Sequence, residues 1–420
     1  MSSQYKKISK YFTQAALILL LFCNNIFADN PKVKISIIDN PKNMDFWWIK
    51  NNNFGIDPSS TNNGFLWYKK NSTITYQLKT LVVDSSFNFN ESFIKYNFSK
   101  ETYLRFGKYY RDYSTYFNDS ISSGHILISN NAEAIPKVGF VSAYKINKAN
   151  IIDFNFGISH GILDKNTSYT KPPMLHEKNI NMTIRRGYNS IFEIGFVHEA
   201  IWGGKTLDDG EYTGSSLKDF LKVFISADGP LIENTLHANA LGNHLGIWDF
   251  SYQKRKNDKL LKIYYQHFFE DTSGLRFANK TDGLWGLELE NYLINTNILI
   301  EYLSTMNQDL NNDYLRDGYY NHSTYNLGWR YKDYIIGNPF INNLAIVPTE
   351  VMHLGIEGKI SNSTNSYKIL SSRRINISDD IKLKIVLKRQ LFDTVDYGIF
   401  LVSDGREKGL GFSLDWIINN

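Results

Sequence analysis

Ile152-Asp153-Phe154-Asn155-Phe156-Gly157-Ile158-Ser159 alternates apolar with polar or small side chains without a break. Successive side chains of a strand point to opposite faces, so this stretch is a strand with two unlike surroundings. The same period recurs at Ile94, Tyr96 and Phe98, at Leu287 and Leu289, and at Ile381, Leu383, Ile385 and Leu387. Phe412, Leu414, Trp416 and Ile418 carry it to the end of the sequence. Roughly sixteen to nineteen such segments, most about 8–11 residues long, are separated by Asn, Asp and Gly turns. Gly187-Tyr188-Asn189 and Asp404-Gly405 are two of these turns. A strand crossing a bilayer needs about 9–11 residues, and a membrane barrel offers lipid on one side and a wet lumen on the other. A secreted sandwich or propeller also gives each strand two faces, so period alone does not separate them. Tyr and Trp at strand ends, as in interfacial girdles, favour the barrel. The absence of a fixed repeat, a linker or a low-complexity tail argues against a propeller and against separate domains.

The first residues set the compartment. Lys6, Lys7 and Lys10 precede the apolar run Ala15 to Phe22, and Ile26-Phe27-Ala28 ends on a small residue. That pattern is a secretory signal peptide over residues 1–28, too short for a spanning helix. Cys23, the only cysteine, falls inside it, so the mature chain has no disulfide, thiolate metal site or cysteine nucleophile. Phe22 before Cys23 argues against lipidation. Removing three lysines from 46 basic residues leaves 43 against 42 acids. Near-neutrality argues against a nucleic-acid partner held on a broad basic face. With 27 Tyr, 27 Phe and only nine Pro, the composition suits strands and polar turns rather than helices. The expected organisation is a signal peptide over 1–28, an irregular periplasmic leader with short helices over 29–62, and an all-β transmembrane barrel over 63–420.

Enzyme signatures are weak. His198-Glu199 and His176-Glu177 lack the second histidine of a zinc helix, with Trp202 and Ile180 at the required positions. Asp309, Asn311 and Asp313 begin like a calcium loop, but Tyr314 replaces the turn glycine and Tyr320 the twelfth-position glutamate. Glu270 and Asp271 are adjacent, so on a strand they cannot flank one glycosidic bond. No phosphate-cradling glycine loop or serine nucleophile elbow is present. The reading is a non-enzyme without cofactor or metal. Arg105, Arg185, Arg186, Glu193, Arg276, Asp282, Glu288 and Glu301 are expected to pair across strands inside the lumen. Gly203, Gly204 and Gly242 read as bends.

Several stretches, in a shared order, resemble the capsule-assembly Wzi family over roughly residues 100–345. They are Leu104-Arg105-Phe106-Gly107-Lys108, Ser122-Ser123-Gly124-His125 and Ser129-Asn130-Asn131-Ala132 with Ile135-Pro136. Next come Leu175-His176-Glu177-Lys178, Gly195-Phe196-Val197-His198, Trp202-Gly203-Gly204 and Gly242-Asn243-His244. Tyr265-Gln266-His267-Phe268-Phe269-Glu270, Tyr319-Tyr320-Asn321-His322, Gly328-Trp329 and Gly337-Asn338-Pro339-Phe340 complete the run. Ile121 and Ala134 stand where the family often has Leu and Pro, and Asn420 replaces a terminal aromatic residue. The resemblance implies an outer-membrane barrel of about eighteen strands with a small helical periplasmic part. It also implies a lectin-like role: binding capsular or related surface polysaccharide so that it stays on the cell.

Sugar binding needs flat aromatic rings for C–H faces and planar polar groups for hydroxyls, with Arg or Lys where the sugar is acidic. Tyr314, Arg316, Tyr319, Tyr320 and Asn321 fall in one expected extracellular loop, and Trp202, Lys205 and Tyr212 in another. These eight are the candidate binding residues, although an interfacial girdle accounts for aromatics in the same places. Expected partners are the polysaccharide, outer-membrane lipid and other capsule-export components. The competing readings are a porin-type channel for small solutes and an outer-membrane hydrolase acting on envelope polymers.

Overall fold

Eighteen antiparallel strands join edge to edge in one closed sheet. The computed structural model describes residues 32–419 apart from 42–44, 57–61, 84–85, 147–150, 166–167, 208–212, 231–239, 271, 309–316, 361–363 and 378–379. The signal segment read over 1–28 lies outside the described residues. The first six barrel strands are β1 Lys32–Asp39, β2 Asn62–Lys70, β3 Ile74–Val83, β4 Ser86–Asn97, β5 Tyr103–Lys108 and β6 Pro136–Lys145. The next six are β7 Ile152–Ile162, β8 Met174–Arg186, β9 Ser190–Trp202, β10 Asn243–Lys256, β11 Lys259–Phe269 and β12 Gly283–Leu293. The last are β13 Thr296–Ser304, β14 Glu350–Lys359, β15 Asn365–Arg374, β16 Lys382–Phe392, β17 Val395–Asp404 and β18 Glu407–Asn419. The seam is β1 against β18, from Lys32 opposite Asn419 to Asp39 opposite Phe412. Closure leaves no edge strand and satisfies the backbone without water.

The alternation read from the sequence sorts the two faces. Phe106, Phe140, Ile180, Leu287, Leu354 and Leu410 stand exposed on the outer wall, the reverse of a soluble protein and the arrangement lipid requires. Their neighbours in sequence point inward. The two ends also differ. Residues 187–189, 257–258, 294–295 and 393–394 make tight turns at the end that holds Lys32 and Asn419. Connections 109–135, 203–242 and 305–349 all lie at the other end. Short turns at one end and long loops at the other is the pattern of outer-membrane barrels.

The boundary expected near residue 62 moves. The barrel begins at Lys32, because β1 already pairs with β2 through Ile38 opposite Asn62. Val33, Ile35 and Ile37 alternate with Lys32, Lys34 and Ser36, but the run is short and Ile38 breaks it, so the sequence carries only a brief strand signal. Among the described residues, the rest of the expected leader holds one helical turn, α1 Trp47–Lys50, and enters the barrel from the long-loop end. There Trp47 stacks on Phe340 at 4.0 Å and its backbone N–H donates to Asp404 Oδ2 at 2.8 Å.

Candidate functional site

The core of this molecule is in its lumen. Ile121, Ile126, Leu127 and Ile128 from one inward-folded connection meet Tyr319, Tyr320, Tyr325, Trp329 and Phe340 from another. Both sets press on Val197, Leu245, Ile247, Phe268, Leu284 and Leu299 of the wall. Each large apolar side chain withdrawn from water in this way contributes about 1.5–3 kcal/mol. Polar atoms inside the plug find partners: Trp329 Nε1 donates to Leu127 O at 2.9 Å, and the Tyr320 hydroxyl donates to Ile126 O. Burial pushes the Tyr320 phenol well above its ordinary pKa. Arg111 grips Asp119 with two N–H groups at 2.7 and 3.0 Å and Ile128 O at 2.9 Å, folding the first plug segment on itself.

Two histidines act alike in the two plug segments. His125 Nδ1 accepts the backbone N–H of Leu127 at 3.1 Å, and His322 Nδ1 accepts that of Thr324 at 3.1 Å. Each ring must be neutral to accept. Burial holds His125 well below the usual histidine pKa and His322 down at about 4.

The inward carboxylates serve the plug more than one another. Glu301 accepts from Ser122 Oγ and Ser123 N at 2.7 Å each and from the Tyr264 hydroxyl at 2.5 Å. Asp249 takes Ser114 Oγ at 2.5 Å and the Tyr116 hydroxyl, and Glu199 takes the Tyr113 hydroxyl. Asp282 accepts from Asn307 N and the Tyr319 hydroxyl, both at 2.9 Å. Arg105 also turns to a plug residue, Asp112, at 2.8 Å. The expected cross-strand ladder therefore forms only in part: Glu288 with Lys262 at 2.6 Å, and Arg185 with Asp153. Glu193 instead accepts from Ser251 Oγ at 3.0 Å. The sequence shows strand charges but not that loops return into the lumen carrying N–H and O–H donors. His176 with Glu177, and His198 with Glu199, split to opposite faces of the wall as neighbours on a strand must.

Above the plug, at the long-loop mouth, lies a cleft of about 400 Å3. Asp45, Lys50, Asn88, Glu133, Lys332 and Asp333 line it with Phe54 and Tyr334. Its floor is held by unusual backbone. Asn52, Phe54 and Lys332 have φ of 50°, 60° and 52°, where side chains other than glycine are strained. Gly55 has φ 68°, and a Cβ there would stand 2.7 Å from Glu133 N, so glycine is required on two counts. The N–H groups of Phe54 and Gly55 donate to Asn130 O and Asn131 O at 2.7 and 2.9 Å, tying the segment to the plug. Glu133 is gripped by Lys332 at 2.6 Å and Lys108 at 3.1 Å, and Lys79 Nζ lies 4.0 Å from the centre of the Phe54 ring. Lys50 and Asp45 pair at 3.0 Å while both remain well exposed. The result is a wet recess with ring faces, amides and charges of both signs. Such a lining suits a hydroxyl-rich ligand, with hydrogen bonds setting orientation and rings covering C–H surface.

The structure describes five of the expected binding residues and does not gather them at one site. Trp202 is buried on the outer wall beneath a helix, α2 Leu217–Phe224, and Lys205 is exposed in a small ribbon paired with Tyr169–Lys171. Tyr319 and Tyr320 are fully buried in the plug. Asn321 Nδ2 donates to Gly318 O, Asn342 O and Ala345 O within 3.2 Å, closing its own loop. Tyr212, Tyr314 and Arg316 lie outside the described residues, as do Asp309, Asn311 and Asp313. The expected bends at Gly203 and Gly204 are present, with φ of 65° and 77°. The cleft residues do not stand out in the sequence because four distant segments supply them. The only local signal was Trp47 and Trp48 in a stretch otherwise rich in Asn.

Comparison with known proteins agrees with this architecture. Wzi of Escherichia coli, an outer-membrane, carbohydrate-binding β-barrel involved in group 1 capsule assembly, superposes with a TM-score of 0.60 at 15% identity. The alignment covers 92% of this chain and 83% of that one. OccK5 of Pseudomonas aeruginosa gives 0.43 at 9% identity over 93% and 97% of the two chains. A Rhodopseudomonas blastica porin variant gives 0.41 at 8% identity over 93% and 99%. A search of curated proteins found no match. The family model described as capsule assembly protein Wzi matches residues 39–345, starting well before Leu104, where the resembling stretches begin. An eighteen-stranded outer-membrane barrel closed by its own long loops, this chain belongs to the Wzi capsule-assembly family.

Proposed function

We propose that this protein binds capsular or related surface polysaccharide at the cleft in its long-loop mouth and promotes attachment of the polymer to the cell surface. With long loops outward, as in barrels of this kind, the cleft opens toward the polymer and away from the periplasm. The carrying observation is the cleft itself, where Phe54, Tyr334, Asn88, Lys50, Asp45 and Asp333 converge in a recess open to solvent. Glu301, Asp249, Glu199 and Asp282 are engaged by plug donors, which favours binding over turnover. A solute channel is the weaker reading, because Trp329, Tyr320 and Phe340 are fully buried in the lumen where a pore would run. Capsule-export components and lipid remain the further partners of this reading.

The test is a clean deletion strain, with cell-attached, released and total polysaccharide measured together. Attachment predicts polymer moving into the medium at constant total. Unchanged attachment would sink the proposal. Restoring the strain with Phe54→Ala combined with Asp333→Asn asks whether the cleft carries the effect. Recovery of full attachment by that variant would remove the cleft from the account.

A further inference from the structure

On the outer wall one region departs from the plain apolar band. α2 lies against it, packing Val223 and Phe220 on Ala200, Trp202 and Leu241. Its cap is complete: Ser216 Oγ accepts from Asp219 N at 3.2 Å, and Asp219 accepts from Ser216 N at 2.9 Å. The opposite side of the helix leaves Leu217 and Leu221 exposed, with Ile225 just beyond its end. An amphipathic helix that hides one apolar side on the barrel and bares another fits the plane of a membrane interface.

Beside the C-terminus of α2 the wall is hollowed into a groove of about 370 Å3, at the small end of the range for ligand sites, about 300–1,000 Å3. Phe140, Phe156, Ile158, Ile180, Phe196 and Phe224 wall it, and Lys178 lies among them. The first four belong to the exposed apolar band, so the groove is continuous with the surface that meets acyl chains. Lys178 is the unexpected member. On β8 it shares the outward side with Ile180, and an ammonium there is costly unless something meets it. Its Nζ donates to Phe224 O and sits 4.5 Å from the centre of the Phe224 ring. No carboxylate pairs with it among the described residues. The basic groups nearby, His176 and His198 on the wall and Lys218 and Lys222 on α2, add no counter-charge, and Asp219 is committed to the cap.

We propose that this groove holds an anionic phospholipid of the surrounding leaflet, one acyl chain lying along Phe140, Phe156, Ile158 and Ile180 and its phosphate, with no headgroup cation to neutralise it, meeting Lys178. Apolar walls supply the chain's contact, and the unpaired ammonium supplies the headgroup's. The site is separate from the polysaccharide cleft, at the opposite side of the barrel wall.

Native mass spectrometry of the full-length mature barrel in detergent, with phosphatidylglycerol or phosphatidylcholine of identical chains, tests this. The expected result is one retained phosphatidylglycerol per barrel, favoured about fivefold, as a single lysine near a lipid surface gives. Lys178→Gln should bring the two lipids to parity and Lys178→Arg should restore the preference. Ile180→Trp, which fills the groove, should lower retention of both. Leu410→Trp on another part of the band should change neither. Equal retention of both lipids by the native barrel would overturn the proposal, and so would an undiminished preference in Lys178→Gln. A barrel dimer that Ile180→Trp abolishes, without lipid, would assign the groove to a second copy instead.

Discussion

Toward the long-loop mouth the lumen holds Leu127, Tyr320, Trp329 and Phe340 in a dry core. Toward the termini the same inward-facing register holds Lys34, Lys388 and Asp415, and Lys368 with Glu357. Strand chemistry alone does not explain the difference, since the mouth half turns Glu199, Asp249 and Glu301 inward beside Val197, Leu245, Ile247 and Leu284. The connections do. Where loops fold back they bring apolar bulk and N–H and O–H donors, so wall carboxylates become anchors for the plug. Where turns are tight the connections reach only as far as Ser120, which bonds Lys368 and Glu357, and Lys34, Lys388 and Asp415 pair with one another. One barrel interior therefore behaves as a protein core at one end and as a solvated surface at the other.

That contrast should appear as a gradient of mutational cost. Trp329→Ala, at the centre of the dry half, is expected to weaken the plug by about 3–5 kcal/mol. The barrel itself should survive, shown by unchanged heat-modifiable migration, while backbone amides of 319–340 exchange faster and conductance rises in planar bilayers. Unchanged exchange would mean the core is not what holds the plug. Glu301→Leu should cost about 1–3 kcal/mol, because the Ser122 hydroxyl and Ser123 N–H lose their acceptor. Denaturant unfolding followed by tryptophan fluorescence would measure it.

Acid offers a milder test of the same half. His322 titrates at about 4 in the folded chain against an ordinary 6.5, so the unfolded segment binds the extra proton between those values. Its contribution is complete above about pH 6.5 and is lost as pH falls toward 4, roughly 1–2 kcal/mol between pH 7 and 5. His125 acts in the same direction. Protection of the backbone amides across 319–329, with the intrinsic pH dependence of exchange divided out, should fall at pH 5, and His322→Gln should flatten that dependence. The smallest effect belongs to the wet half. Asp415→Asn removes a carboxylate shared by Lys34 and Lys388 at 3.2 and 2.9 Å, yet both lysines are about 40% exposed. A cost under about 1 kcal/mol is expected, smaller still at high salt. A loss as large as that of Trp329→Ala would erase the distinction between the halves.

Much of the wall was legible because its rule is local. Phe154, Phe156 and Ile158 announce their strand without reference to any other segment, and seventeen more strands follow the same logic with varying clarity. β1 is harder to see because its alternation stops after six residues, where Ile38 stands beside Ile37. The plug was illegible for a different reason. Ile121, Tyr320 and Trp329 look like ordinary loop residues until the chain between strands is known to turn inward. The candidate binding residues suffered from the same blindness: Tyr319 and Tyr320 carry the aromatic character of a sugar site, and their burial comes from long-range packing. The cleft joins Lys50, Asn88, Glu133 and Lys332 from widely separated parts of the chain, which no spacing rule could bring together.

The seam between β1 and β18 carries a consequence for the timing of assembly. Lys32 cannot meet Asn419 until nearly every other strand exists, and Trp48 Nε1 reaches Lys382 O across a separation of 334 residues. Contacts so distant in sequence make for slow folding, because loop-closure entropy must be overcome before the contact rewards it. Until its final strand arrives the sheet has two open edges, each a template for wrong pairing. A chain cut short before β18 should therefore be a substrate for degradation rather than a weaker barrel.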